Sequence, residues 1–328
     1  MRPGGAYALT CARAKAAGAD YRRGRMAGPI FVLGMARRTG TNFCFQLLAL
    51  HPDVVPATRL PEDFALHDAD LLLEYARRTR RQWNPRWGFH ADAEARLVRR
   101  LGGALEAFLE AEGLEEGAAS GRRPLFKTPS VRNLDRFFDL FPEAALVVLV
   151  RDGRDVVEST TRSFGWSHEA ATRAWCDAAR AVRDFDRTRP AAGPRRHRLL
   201  RYEELVRAPE ETLRGVLDFL GLDAARYDFD AARKLPVFGS STFRGESAEV
   251  HWEPVSKSEA FQPLGRHEGW DAERRRRFDW LAGDLMRELG YAQHEPADAG
   301  PALRQRLLDA AWGARERARA LAQRRKRT

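Results

Sequence analysis

Two unbroken apolar runs divide the first half of the chain, Ile30-Phe31-Val32-Leu33 after Pro29 and Ala145-Leu146-Val147-Val148-Leu149-Val150. Continuous β-formers bounded by turn residues predict strands buried on both faces of a parallel sheet. After each run the period changes to that of a helix, with Phe43, Leu47, Leu48 and Leu50 following the first and Val156, Val157 and Thr160 the second. Further helices are expected from Ala69 to Arg81, from Asp92 to Glu112 with Leu97, Leu101, Leu105, Phe108 and Leu109 inward, from Val131 to Leu140, and from His168 to Arg187. Leu125-Phe126 before Lys127 reads as a short strand, as does His197 to Arg201. The Gly-rich, polar stretch Gly113 to Arg123 reads as a surface loop. Alternating strands and helices predict an α/β fold, a P-loop-like parallel sheet with helices on both faces. No internal repeat is apparent.

The two strand-to-helix turns carry the chemistry. The first reads Gly34-Met35-Ala36-Arg37-Arg38-Thr39-Gly40-Thr41-Asn42, a glycine-bracketed loop opening a helix whose first turn points free N–H groups at it. That shape suits a phosphate. A nucleotide kinase loop needs Gly-x-x-x-x-Gly-Lys-Ser/Thr, and here Thr41 stands where the lysine would be. The plainer reading is an ordinary turn with glycines for backbone geometry. The second turn, Arg151-Asp152-Gly153-Arg154-Asp155, has Asp152 placed to cap a helix and Ser159 two turns beyond Arg151. An arginine fork and a hydroxyl converging on one point suit a phosphate monoester. Alternatively, the four charged residues pair with one another at a strand end.

At these residues the chain resembles the sulfotransferases that use 3′-phosphoadenosine 5′-phosphosulfate, over most of the span from Pro29 to Tyr291. The matching segments are Arg38 to Asn42 followed by Leu47-Leu48-Ala49-Leu50-His51-Pro52; Arg151 to Ser159; and Arg201-Tyr202-Glu203-Glu204-Leu205 leading to Phe219-Leu220-Gly221-Leu222. The resemblance implies that Arg38, Thr39, Gly40, Thr41 and Asn42 hold the 5′-phosphosulfate, with Arg37 able to exchange roles with Arg38 because one extra residue separates Gly34 from them. It implies that Arg151 and Ser159 hold the 3′-phosphate, that Tyr202 lies near the adenine, and that Ser241, Thr242 and Phe243, after Ser240, close over the nucleotide. Gly265-Arg266-His267-Glu268-Gly269-Trp270 takes the place of a cofactor-covering loop, with Arg266 as its contact. The bland reading of that segment is a solvent loop with one packed Trp.

Sulfuryl transfer needs cations where the leaving oxygen gains charge and a base for the acceptor proton. Arg38 and Lys127 fit the first role, although Lys127 also reads as a lysine snorkelling from a strand end. Pro129 stands where cytosolic family members carry a catalytic histidine, so the chain looks closer to Golgi-type and bacterial members, which place a glutamate after the first helix. Glu62, in Arg59-Leu60-Pro61-Glu62-Asp63-Phe64, is the nearest match. Asp63 and His67 are fallbacks, and the plain reading of Glu62 is a helix N-terminal acid.

The 328 residues carry a formal net charge of +10, which invites a nucleic-acid partner. Its distribution argues against one. Residues 1–27 hold six Lys/Arg against one acid and residues 301–328 nine against two, which leaves 28–300 at −2. The chain therefore divides into a basic arm (1–27), a sulfotransferase-like domain (28–300) and a basic C-terminal helix (301–328), whose stripe of Leu303, Leu307, Ala311, Ala314, Ala318 and Leu321 suits packing on the domain first, or else contact with an anionic membrane surface, a nucleic acid or an acidic partner. Met26 just before the first strand leaves the true start open. No transmembrane or secretory pattern is evident, and Cys11, Cys44 and Cys176 lack metal-ligand spacing, so no metal is expected and a reducing cytoplasm fits best.

The acceptor is expected to bear a hydroxyl. Carbohydrate, lipid, peptide tyrosine and small phenol remain open, as does oligomeric state. The expected acceptor-binding stretches are Val54 to Trp87 and Phe164-Gly165-Trp166, although Trp83, Trp87, Phe89 and Trp166 read first as core. Two rival functions keep other features of the chain in view: a P-loop kinase acting on a small metabolite, and a noncatalytic basic adaptor working through its C-terminal helix.

Overall fold

The computed structural model describes residues 28–87, 91–113, 121–188, 196–236, 262–291 and 302–325. Five parallel strands form one sheet in the order β2-β3-β1-β4-β5, namely β1 (Ile30–Gly34), β2 (Val54–Pro56), β3 (Arg123–Thr128), β4 (Ala145–Val150) and β5 (His197–Arg201). The helices are α1 (Thr41–Ala49), α2 (Ala69–Gln82), α3 (Ala93–Gly113), α4 (Phe137–Leu140), α5 (Gly153–Phe164), α6 (His168–Thr188), α7 (Tyr202–Arg207), α8 (Pro209–Leu220), α9 (Phe229–Lys234), α10 (Ala272–Glu288) and α11 (Ala302–Arg325).

The continuous apolar runs are strands with a core on each side, because successive side chains alternate faces and both faces are covered. From β1, Phe31 and Leu33 join Phe126, Phe137, Phe141 and Trp175 in one cluster. Ile30 and Val32 join Leu47, Leu48, Val147 and Leu217 in the other. Phe31 stacks on Phe126 at 4.6 Å between centroids and meets Phe137 edge-on at 5.1 Å. The chain leaves β1 for β2 and β3 on one side and returns to β4 on the other, so the carboxyl ends of β3, β1 and β4 border a topological switch point.

The structure departs from expectation in four places. The Val131 to Leu140 helix is broken: Asn133 takes a left-handed φ of 62°, and only a 3₁₀ turn (Leu134–Arg136) and the four-residue α4 follow. The edge strand β2 was not expected, being only three residues long. Trp87 and Trp166 are exposed, not core; Phe89 lies outside the described residues. The C-terminal helix forms as expected, but the stripe named for it does not pack: Leu303, Leu307 and Leu321 face solvent while the helix's polar side meets the domain.

Candidate active site

The loop from Gly34 to Gly40 is shaped by its own backbone. Thr39 Oγ1 donates to Ala36 O and accepts from Ala36 N, so the Thr39 hydroxyl closes the loop and is itself fully buried. Arg38 has a positive φ of 70°, and its side chain reaches α5 at Ser159. Gly40 caps α1 with φ 101°, and no side chain caps the helix's first N–H groups. A β-carbon at Gly40 would lie 2.3 Å from the Tyr202 ring, so only glycine fits there.

From the end of β4, Arg151 reaches under that loop. It is almost fully buried, donates to Arg38 O at 2.8 Å and to Pro263 O, and lies 4.4 Å from the Tyr202 ring centre. Its Nε is buried with no hydrogen-bond partner. Tyr202 is therefore a wedge between the Gly40 turn and Arg151. Asp152 caps α5 through Arg154 N at 2.9 Å and pairs with the Arg154 guanidinium, while its own N–H donates to Glu203. The alternative of mutual pairing at this turn thus holds for Asp152 with Arg154 and, at 3.9 Å, for Asp155 with Arg151.

Ser159 joins the two turns. Its Oγ accepts from Arg38 Nε at 3.0 Å and from Arg266 Nη1 at 3.2 Å. The segment carrying Arg266 is fixed to α5: Asp155 accepts from Gly265 N at 3.1 Å and pairs with His267 at 2.7 Å, and Glu158 accepts from Trp270 Nε1 at 2.7 Å. Trp270 is buried against His168 and Phe278. Both readings of this segment hold in part, since its Trp is packed and its Arg faces the site. Burial, then Arg266 and Arg151, push the Arg38 guanidinium down to about 10. Burial and Arg151 likewise lower Arg266. Three guanidiniums gathered in a low-dielectric setting are costly until an anion joins them.

On the other side of α1, Lys127 reaches from β3 to Asn42 Oδ1 and lies 5.7 Å from the Phe45 ring centre. Burial lowers its pKa, opposed by Glu62 and Asp63. Asp63 accepts from Lys127 N at 2.7 Å, from Ala65 N at 3.0 Å and from Thr128 Oγ1, which stitches its segment to β3. That role removes Asp63 as a free base. Neighbouring Glu62 is half-buried; burial raises its pKa, Lys127 and Arg37 oppose this, and Asp63 adds to it. His67 sits 3.4 Å from Ser130 Oγ. Arg37 is exposed, with its guanidinium 5.7 Å from the Phe164 ring centre, so Arg38 is the arginine facing Ser159. Ser241, Thr242 and Phe243 lie outside the described residues. No group of three or more His, Cys, Asp or Glu able to hold a metal occurs among the described residues.

A sequence model described as the sulfotransferase family matches residues 29–226, well over half of the chain. The chain belongs to the sulfotransferase family. It is similar to the nodulation protein NoeE of Sinorhizobium fredii, 28% identical over an aligned length of 295 residues, with 82% of this chain and 68% of that protein covered. Among solved structures it is similar to a sulfotransferase domain from the curacin biosynthetic pathway, at 20% identity and TM-score 0.44, covering 82% of this chain and all of that one. It is also similar to mouse sulfotransferase SULT7A1 complexed with PAP, at 11% identity and TM-score 0.41, covering 79% and 85%.

Within this sulfotransferase, sequence reasoning missed Asp155, Glu158 and His267 as the residues that position Arg266. A signal existed. Asp155, Glu158, Ser159 and Arg162 recur at helical spacing on α5, in phase with Arg151 just before it, and polar residues on a face entered directly from a buried strand need partners.

Proposed function

We propose that this sulfotransferase moves a sulfuryl group from 3′-phosphoadenosine 5′-phosphosulfate to an acceptor hydroxyl by in-line displacement. The observation that carries the reading is the cluster of Arg38, Arg151 and Arg266 near Ser159, with Arg151 Nε buried and unpartnered: the Asp155 carboxylate, 3.9 Å from Arg151, offsets only part of this charge, and the excess suits a phosphate dianion. A second anion position, at the uncapped start of α1 with Lys127 beside it, lies on the other side of Arg38. A ligand with phosphates at both ends satisfies both positions.

Arg151, Arg266 and Ser159 then hold the 3′-phosphate, and the N–H groups of Gly40, Thr41 and Asn42 hold the 5′ end. The donor supplies the sulfuryl group and departs as the bisphosphate. The acceptor oxygen forms a bond to sulfur as the sulfur to bridging-oxygen bond breaks; Glu62 takes the acceptor proton, and Arg38 and Lys127 offset the charge left on the phosphate oxygen. Raising the Glu62 pKa by burial brings it nearer the working range of a base. Exposed Leu60, Phe64, Phe164 and Trp166 give the acceptor an apolar rim.

Calorimetry with 3′-phosphoadenosine 5′-phosphate, AMP and ATP in the absence of metal tests the donor. The bisphosphate is expected to bind clearly better than AMP, and equal affinities would defeat the reading. Transfer of radiolabelled sulfate across carbohydrate, lipid, peptide and phenol acceptors then identifies the acceptor class.

A further inference from the structure

Helix α11 turns its polar side to the protein and its apolar side to solvent. Gln305, Asp309, Trp312 and Glu316 recur on one face. Gln305 is buried, and the buried Arg277 of α10 donates to its main-chain oxygen at 3.3 Å and its side-chain oxygen at 3.0 Å. Asp309 accepts from Arg277 at 2.7 Å, from Trp280 Nε1 at 2.9 Å and from Arg173 of α6, whose guanidinium lies 5.4 Å from the Trp312 ring centre. The reason for this orientation is Arg277: a buried guanidinium needs carboxylates, and Glu169 and Asp309 supply them.

The opposite face carries Leu303, Leu307, Ala311, Ala314, Ala318 and Leu321, and the three leucines are 68%, 62% and 61% exposed. Arg306 and Arg317 flank this stripe on one side, Arg304 and Arg315 on the other. Both acids of the helix, Asp309 and Glu316, lie on the docked side; Glu316 lines a cleft of about 470 Å³ with Cys176, Leu281 and Trp312. Arg304 pairs with Glu273 of α10 at 2.6 Å, and the outward surface of α11 is otherwise leucine along its centre and arginine along its shoulders, with no carboxylate of the helix's own.

We infer that this face of α11 lies on an anionic membrane surface, its leucines at the headgroup boundary and its arginines against lipid phosphates. Arginines at the shoulders of an apolar stripe can snorkel to phosphates while the leucines sink between them. A nucleic acid would place the arginines at the centre of contact and give the leucines nothing to bury them. No helix among the described residues is long and apolar enough to cross a membrane, so the contact is peripheral.

Flotation of the full chain with phosphatidylcholine vesicles, with or without phosphatidylglycerol, tests this. The chain is expected to float with the anionic vesicles and not with the neutral ones. Leu307→Ser with Leu321→Ser should weaken binding by about tenfold or more. Arg306→Ser with Arg317→Ser should weaken it by about fivefold per arginine at low salt. Unchanged thermal melting and bisphosphate binding would show that these surface changes leave the fold intact. Failure to float with anionic vesicles overturns the inference. So does flotation that the leucine changes leave untouched, or capture on duplex DNA that competes with the vesicles and ignores those changes.

Discussion

Arg38 Nε donates to Ser159 Oγ at 3.0 Å, joining residues 121 positions apart in the chain. The bond ties the glycine-bracketed loop of β1 to the helix that follows β4, so the two anion positions form one surface. Ser159 receives guanidinium N–H groups from Arg38 and Arg266, which leaves its own O–H to donate to a bound anion. Ser159→Ala removes that donor and takes an acceptor away from two half-buried guanidiniums. Since hydrogen bonds to charged groups are worth about 1.5–3 kcal/mol, affinity for 3′-phosphoadenosine 5′-phosphate is expected to fall about ten- to a hundredfold in calorimetry. Unchanged affinity would remove Ser159 from the donor site.

Gly40→Ala tests the wedge. The new β-carbon would meet the Tyr202 ring at 2.3 Å in a backbone held at φ 101°, and such strain costs about 1–3 kcal/mol before any clash is counted. Gly165 is also at positive φ, but a β-carbon added there would meet nothing within 4 Å, so Gly165→Ala carries only the conformational part. The urea midpoint should drop further for Gly40→Ala, with donor binding lost in that variant alone. Equal effects of the two changes would mean that Tyr202 does not pack as a wedge.

The sheet and both turns are legible in the sequence because buried strands write themselves as continuous apolar runs, and glycine and arginine at their ends have few other uses. β2 is not, since Val54 to Pro56 is too short for any period to show. The helix expected after Val131 breaks because the apolar positions Leu134, Phe137 and Leu140 carry helical spacing, while the left-handed Asn133 interrupts it through backbone geometry that spacing does not register. At the site, Arg38, Ser159 and Lys127 are visible from their motifs. Asp155 and Glu158 show as polar positions in phase along α5, but which residues they hold does not, because no motif links them to His267 and Trp270. The stripe on α11 is plain from its spacing, but its direction depends on the buried Arg277, which nothing in α11 itself reveals.

Asp155 holds the Arg266 segment, so Asp155→Asn should loosen it without touching Ser159. Burial alone would raise the Asp155 pKa, but the His267 hydrogen bond and Arg151 outweigh it and hold the carboxyl below its ordinary 3.8. A depressed carboxylate pKa means that the stabilisation is present above 3.8 and is lost only as pH falls through the still lower folded value. The wild-type segment should therefore resist limited proteolysis throughout the mildly acidic range, whereas Asp155→Asn should be cut there and at neutral pH alike. Its KM for the donor should rise more than its kcat falls. A variant as protected as wild type would show that Glu158 and Trp270 suffice.

Glu62→Gln examines the proton acceptor. Burial, aided by Asp63, raises the Glu62 pKa above the ordinary 4.5 against the opposing pull of Lys127 and Arg37. A carboxylate accepts a proton only when ionised, so the rate should fall as pH drops through this raised value, and the acid limb of kcat/KM should lie above 4.5. In the variant kcat is expected to fall about 10²–10⁴-fold and that limb to disappear, with bisphosphate affinity retained because Glu62 adds no favourable contact to an anion. Full activity in Glu62→Gln would remove Glu62 from the chemistry. Asp63 would be a poor replacement, with its carboxylate engaged by Lys127, Ala65 and Thr128. The next group to change would then be His67, whose Nδ1 lies 3.4 Å from Ser130 Oγ; an acid limb that survives Glu62→Gln and vanishes in His67→Gln would transfer the role to it.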